Sequence, residues 1–113
     1  MSKRLNATDV ALARRLRALE SANDLTIRAT ADLIATTIDA SQAHRLPACE
    51  DHKTIVRMGD LMAEAIRLRG LSVAAHHHIV EIGSGLGLPI TSFGDICQMA
   101  AVDAPVSVVE QAA

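Results

Sequence analysis

Histidine and cysteine are the residues of this sequence best suited to chemistry, and they fall into two clusters. The first cluster has the spacing His-x4-Cys-x2-His and contains His44, Cys49 and His52. These side chains are ligands that zinc prefers, but a tetrahedral site needs a fourth ligand, which Asp51 or a second subunit could supply. A solvated histidine and a partly buried cysteine are therefore the favoured interpretation, and a zinc site at the turn is the alternative.

The second cluster is the run His76, His77 and His78, whose apolar flanking residues place it inside a helix. Successive helical residues point about 100° apart, so the three imidazoles cannot all coordinate one ion, whereas residues four apart can. We expect one histidine to pack at an interface and two to be solvated. The alternatives are a metal site shared between subunits and a pH-sensitive cluster.

Catalytic activity is not the favoured interpretation of these residues. A Cys–His pair needs an orienting third group and a pocket, and the sequence supplies neither. The glycine-rich segment 83–87 has the composition of a nucleotide-binding loop, but such a loop lies between a strand and a helix. Because the pattern before it is helical, we interpret the segment as a flexible linker.

Three arginines near the start of the chain could contact phosphate groups: Arg14, Arg15 and Arg17. No aromatic residues lie among them to stack on bases, and the net charge of the chain is -2. Pairing with acidic residues such as Glu20 or Asp24 is the favoured interpretation. Nucleic-acid binding is retained only as an alternative function.

The composition favours helices. Half of the 113 residues are apolar, yet Phe93 is the single aromatic residue and alanine is abundant. The apolar stretches are too short to span a membrane, and two cysteines without CxxC spacing predict reduced thiols rather than a disulfide scaffold. We therefore expect a cytoplasmic protein with one helical domain, residues 1–103, and a C-terminal tail, residues 104–113.

A first long helix is predicted over residues 6–45, with Asn6 and Asp9 spaced for an N-terminal cap. No glycine or proline interrupts this segment. The short polar side chains of residues 21–24 could divide it into two helices, but one helix is favoured because the apolar stripe keeps its phase. The stripe consists of Leu12, Leu16, Leu19, Ile27, Leu33, Ile34 and Ile38.

A turn around Pro47 precedes a second helix that is predicted to end at Gly83. Gly59 and Gly70 weaken this helix by about 1 kcal/mol each unless close packing exploits the missing side chain. A short third helix is expected over residues 92–102. The apolar stripe of the second helix consists of Ile55, Met58, Leu61, Met62, Ala65, Ile66, Leu68, Ala75, Ile79 and Ile82.

The predicted fold is all-α: an antiparallel hairpin of long helices plus a short C-terminal helix. Two helices cannot enclose a core by themselves, so we expect the hairpin to dimerise into a four-helix bundle. The predicted function is a non-catalytic interaction or scaffolding module, acting as a homodimer or higher oligomer and contacting an unidentified protein, with no cofactor. Phe93, Ile96 and Met99 are the predicted partner contacts. The alternatives are a metal- or small-ligand-binding bundle that uses a transition metal such as zinc, and an arginine-mediated nucleic-acid accessory protein.

Overall fold

A computed structural model of the protein describes residues 4–89. These residues form two long α-helices, α1 (Ala7–Ala43) and α2 (Ala48–Gly85), joined by a short turn. No strand is present between residues 4 and 89. The all-α helical hairpin predicted from the sequence is therefore confirmed.

Part of the predicted organisation lies outside the described residues. This applies to the third helix, residues 92–102, and to the tail, residues 104–113. It also applies to the predicted contact residues Phe93, Ile96 and Met99. Neither α1 nor α2 contains an apolar stretch long enough to cross a lipid bilayer.

A reciprocal capping pair starts α1. The backbone N–H of Asp9 donates to Oδ1 of Asn6 at 2.8 Å, and the backbone N–H of Asn6 donates to Oδ2 of Asp9 at 2.9 Å. These bonds satisfy N–H groups near the helix start, and the carboxylate lies at the positive end of the helix. The cap predicted from the spacing of the two residues is confirmed.

The helix α1 continues without interruption through residues 21–24, where the sequence also allowed a break. The side-chain amide of Asn23 donates to the hydroxyl of Ser72, and Arg69 Nε donates to Asp24 Oδ1 at 2.7 Å. Because Asn23 and Asp24 bond to α2, they do not compete for the backbone hydrogen bonds of α1. The favoured prediction of a single first helix is confirmed.

The C-terminus of α1 is closed by two short-range backbone hydrogen bonds. The N–H of Leu46 donates to the carbonyl of Ser41 at 2.9 Å, and the N–H of Arg45 donates to that of Gln42 at 3.0 Å. This is the Schellman pattern, which needs a left-handed residue after the helix. Arg45 fills that position with a φ of 55°.

The C-terminus of α2 repeats the same pattern with a glycine. Leu88 N–H donates to the carbonyl of Gly83 at 2.9 Å, and Gly87 N–H donates to that of Ser84 at 3.0 Å. Gly87 is the left-handed residue, with a φ of 77°. The prediction that α2 ends at Gly83 is wrong, because the helix continues to Gly85 and the terminating glycine is Gly87.

Contacts between residues divide the described chain into two compact units. Residues 17–72 form the first, which we call the turn unit because it contains the connection between the helices. Residues 4–16 and 73–89 belong to the second, which we call the end unit. In the end unit the buried apolar residues Ala13 and Val80 pack together, with Ile79 and Leu88 partly buried against them.

In the turn unit, the buried and partly buried residues of α1 recur alternately every three and four residues. This spacing is the heptad pattern of helices that pack along their length. We call these residues the seam of α1: Glu20, Asn23, Ile27, Thr30, Ile34, Thr37 and Ser41. The corresponding seam of α2 consists of Asp51, Ile55, Met58, Met62, Ala65 and Ser72.

Replacing Arg45 with glycine should raise the free energy of unfolding by about 0.5–1 kcal/mol, because glycine adopts a positive φ without the steric cost of a β-carbon. The matched variant Gly87→Ala, at the equivalent position after α2, should lower it by a similar amount. Urea denaturation followed by circular dichroism at one fixed protein concentration measures both. A destabilised Arg45→Gly variant would contradict the left-handed conformation of this residue.

Candidate interaction surface

The fully buried residues in the contact between the helices of the turn unit are small or polar, whereas the large apolar residues of the seams, such as Ile27 and Ile55, are partly buried. Asn23, Thr30, Ser41 and Ser72 are buried, and the one buried apolar residue described in this unit is Ala65. Short side chains let two helix backbones approach closely, but each buries little apolar surface. The hairpin therefore gains less from the hydrophobic effect than helices of this length usually do.

The polar groups in this contact are satisfied locally. The hydroxyl of Thr30 donates to the carbonyl of Thr26 at 2.8 Å, and the hydroxyl of Thr37 donates to that of Leu33 at 2.8 Å. Asn23 bonds to Ser72 across the two helices. Because an unsatisfied buried polar group costs about 1–3 kcal/mol, these bonds allow polar residues to occupy the seam.

Many large apolar side chains of the turn unit lie outside the seams and are exposed to solvent. Leu25 is 64% exposed and Leu33 is 46% exposed. Single exposed leucines are common on protein surfaces, but in this unit the exposed large apolar residues outnumber the fully buried apolar ones. The exposed large apolar residues of this unit are Leu19, Leu25, Leu33, Ile38, Leu46, Val56, Leu61, Ile66, Leu68 and Leu71.

The end unit also presents apolar side chains, which line a shallow groove. The groove is formed by Asp9, Leu12, Ile79, Ile82, Gly83, Leu86 and Leu88. Leu12 and Ile82 are exposed, whereas Ile79 and Leu88 are partly buried. The groove has one carboxylate at its edge and is otherwise apolar, so it suits an apolar side chain better than a charged ligand.

The histidine run is separated by the helix geometry, as its spacing predicts. His76 and His77 are buried, with 4% and 7% of their surfaces exposed. His78 is exposed, and its Nδ1 lies 3.7 Å from Oε2 of Glu81. Within residues 4–89, the Nε2 atom of His77 has no hydrogen-bond partner. The expectation of one packed and two solvated histidines is therefore wrong, because two of the three are buried.

The cluster around the turn is open to solvent. His44, Cys49 and His52 are all exposed, and the thiol of Cys49 is free. His52 and Asp51 share a groove with Ile38 and Ile55. Within residues 4–89, no three His, Cys, Asp or Glu side chains lie close enough together to hold one metal ion. A site completed by a second subunit stays a prediction.

The arginines singled out in the sequence are exposed on the surface of α1: Arg14 and Arg15 in the end unit and Arg17 in the turn unit. Asp24, a predicted partner of these arginines, instead pairs with Arg69 of α2. Nucleic-acid binding through Arg14, Arg15 and Arg17 stays a prediction.

Sequence reasoning missed the polar residues of the seam, including Asn23, Thr30, Ser41 and Ser72. The signal that could have found them is their spacing. On α1, Asn23 and Thr30 lie four and three residues from Ile27, which belongs to the predicted apolar stripe. That stripe contains apolar residues only, so it combines residues of the seam with exposed leucines such as Leu33.

Comparison of the chain with protein-family models, with curated proteins and with solved structures found no match.

Removing either partner of the Asn23–Ser72 hydrogen bond should destabilise the protein. Asn23→Ala and Ser72→Ala should each lower the free energy of unfolding by about 1–2 kcal/mol, because each leaves a buried polar group without its partner. The double variant should show a coupling of about 1 kcal/mol in a double-mutant cycle measured by urea denaturation. Additive effects would mean that the two side chains do not bond in solution.

His77→Met should raise the free energy of unfolding by about 1 kcal/mol, since methionine fills a similar volume without a buried nitrogen that lacks a partner. The matched variant His78→Met changes an exposed neighbour and should stay within about 0.5 kcal/mol of the wild type. Thermal unfolding of the three proteins measures this difference. A marked loss of stability in His77→Met alone would show that the imidazole has a partner in solution.

Proposed function

We propose that this protein is a non-catalytic helical interaction module that acts as a homo-oligomer, in which a second copy covers one face of the apolar side chains that the hairpin leaves exposed. The observation that carries the proposal is the inverted distribution of side chains in the turn unit. Asn23, Thr30 and Ser72 are buried, while Leu33, Leu61 and Leu68 are exposed. Association of two hairpins would complete a four-helix bundle, the usual way for such helices to enclose a core.

The free energy gained by burying the exposed leucines is comparable with the free-energy cost of association. Burying the exposed half of a leucine side chain contributes about 1 kcal/mol at 25 cal/mol per Å². Association of two proteins costs about 4–15 kcal/mol in lost motion. Because a symmetric interface uses each residue twice, four such leucines per chain contribute about 8 kcal/mol, which lies within the range of that cost.

The proposal predicts that the purified protein has a native mass of at least two chains. It also predicts that the thermal midpoint rises with protein concentration, because dissociation accompanies unfolding. Light scattering after size-exclusion chromatography measures the mass, and circular dichroism measures the midpoint at several concentrations. A monomer with a concentration-independent midpoint at micromolar concentration would refute the proposal.

A metal-binding bundle is the second candidate, and the observation that favours it is the buried Nε2 atom of His77, which has no hydrogen-bond partner in the described part of the chain. Imidazole nitrogens are common ligands of transition metals. Elemental analysis of protein incubated with zinc and then desalted would show stoichiometric metal in the wild type and less in His77→Met. Metal-free wild-type protein would remove this candidate and leave the interaction module.

A further inference from the structure

An uncharged stripe runs along α1 on the surface of the turn unit. Its members recur at alternating three- and four-residue steps and are all exposed. The spacing places them on one side of the helix, roughly 90° around the axis from the seam. We call them the outer stripe: Leu19, Ala22, Thr26, Ala29 and Leu33.

The single polar group of the outer stripe needs no partner from outside. The hydroxyl of Thr26 donates to the carbonyl of Ala22 at 2.9 Å. The side chain therefore presents its methyl group, and a molecule that covered the outer stripe would not have to replace a hydrogen bond to water. Every side chain of the outer stripe therefore presents an apolar surface.

Two leucines of α2 extend this apolar surface. Ile38 and His52 line one groove, so they mark one flank of the helix pair. Leu33 on α1 and Leu61 on α2 lie on the opposite side of their seams, which places both on the other flank. Continuing the antiparallel register of the Asn23–Ser72 hydrogen bond brings Leu68 about level with Thr26, and Leu61 about level with Leu33.

The size of this flank fits a stable dimer. The 27 residues of α1 in the turn unit span about 40 Å at 1.5 Å per residue, and two adjacent helices are about 20 Å wide. Their product is about 800 Å², the face of both helices together, and it matches the surface that each partner contributes to a standard stable interface when Leu61 and Leu68 of α2 are covered along with α1.

The order of residues in the outer stripe indicates which molecule covers it. Leu, Ala, Thr, Ala and Leu read the same in both directions, with Thr26 at the centre. Two identical helices packed antiparallel around a two-fold axis at Thr26 would place Leu19 of one copy beside Leu33 of the other. Each contact is then made twice, as a closed two-fold interface requires. An unrelated partner would not require this symmetry.

We infer that the outer stripe is the self-association surface, on which α1 packs antiparallel against α1 of a second copy with the two-fold axis at Thr26. The inference rests on the proposed function and assigns its interface. Leu61 and Leu68 lie at the margin of this contact. The small central residues Ala22 and Ala29 let the two α1 backbones approach closely, while the seams keep each α1 packed on its own α2.

Lysine substitutions test the surface. Leu33→Lys places a charge in the contact twice per dimer and should raise the dimer dissociation constant by roughly 100-fold or more. Leu25→Lys is the matched control, because Leu25 is an exposed leucine of the same helix that lies outside the outer stripe. It should leave the dissociation constant within about threefold of the wild type. Sedimentation equilibrium measures the constants, and circular dichroism checks that both variants stay helical.

Disulfide cross-linking tests the antiparallel symmetry, in a background with Cys49→Ser and Cys97→Ser. Thr26→Cys should form a covalent dimer on mild oxidation, because the axis brings the two copies of this residue within disulfide range, a Cα separation of about 4.4–6.8 Å. Leu25→Cys should not. Leu19→Cys and Leu33→Cys should cross-link readily when mixed and poorly when oxidised separately, whereas a parallel pair would give the reverse.

The outcomes separate this inference from the proposed function. A monomeric wild-type protein refutes both. A wild-type dimer that survives Leu33→Lys as well as it survives Leu25→Lys keeps the oligomer but refutes the outer stripe as its surface. The antiparallel two-fold is refuted if Leu33→Lys abolishes the dimer but neither cross-link forms. These cross-links are the one through Thr26→Cys and the one between Leu19→Cys and Leu33→Cys in the mixture. Loss in Leu33→Lys alone together with the expected cross-links supports the inference.

Discussion

Packing two long helices through short side chains constrains everything else in the turn unit. The fully buried residues Asn23, Thr30, Ala65 and Ser72 are short or polar, while leucines of both helices such as Leu33 are exposed. The contact is specific because hydrogen bonds across it, such as that from Asn23 to Ser72, define one antiparallel register. It is also weak, since a buried hydrogen bond contributes only about 1 kcal/mol net. The short and polar residues buried between the helices therefore account both for the specific register of the hairpin and for the apolar surface that it leaves exposed.

The residues that first suggested chemistry are dispersed by this architecture. His76 and His77 point inward, whereas His78 faces solvent beside Glu81. The turn cluster around Cys49 is open and lacks a converging third ligand within residues 4–89. A site that binds or reacts needs several groups aimed at one point. The described residues instead form an extended apolar flank, which suits recognition of another helical surface.

Helix positions and ends were largely predictable from local signals, because caps, prolines and three–four spacing act over a few residues. The Asn6–Asp9 cap and the continuity of α1 followed from the sequence. The sequence did not predict which apolar residues of α1 are buried and which are exposed, because their burial depends on which residues face α2. The sequence does not distinguish Gly83 from Gly87 as the glycine that ends α2, because both carry the same terminating signal, and only Gly87 adopts a positive φ. Arg45 could not be identified as left-handed, because arginine rarely adopts that conformation.

The burial of polar rather than apolar side chains in the seam has a thermodynamic consequence. The heat capacity change of unfolding grows with exposed apolar area and falls with exposed polar area. A hairpin whose fully buried contact residues include Asn23, Thr30 and Ser72 should therefore unfold with a small heat capacity change for its length. Its stability would then vary little with temperature around its maximum.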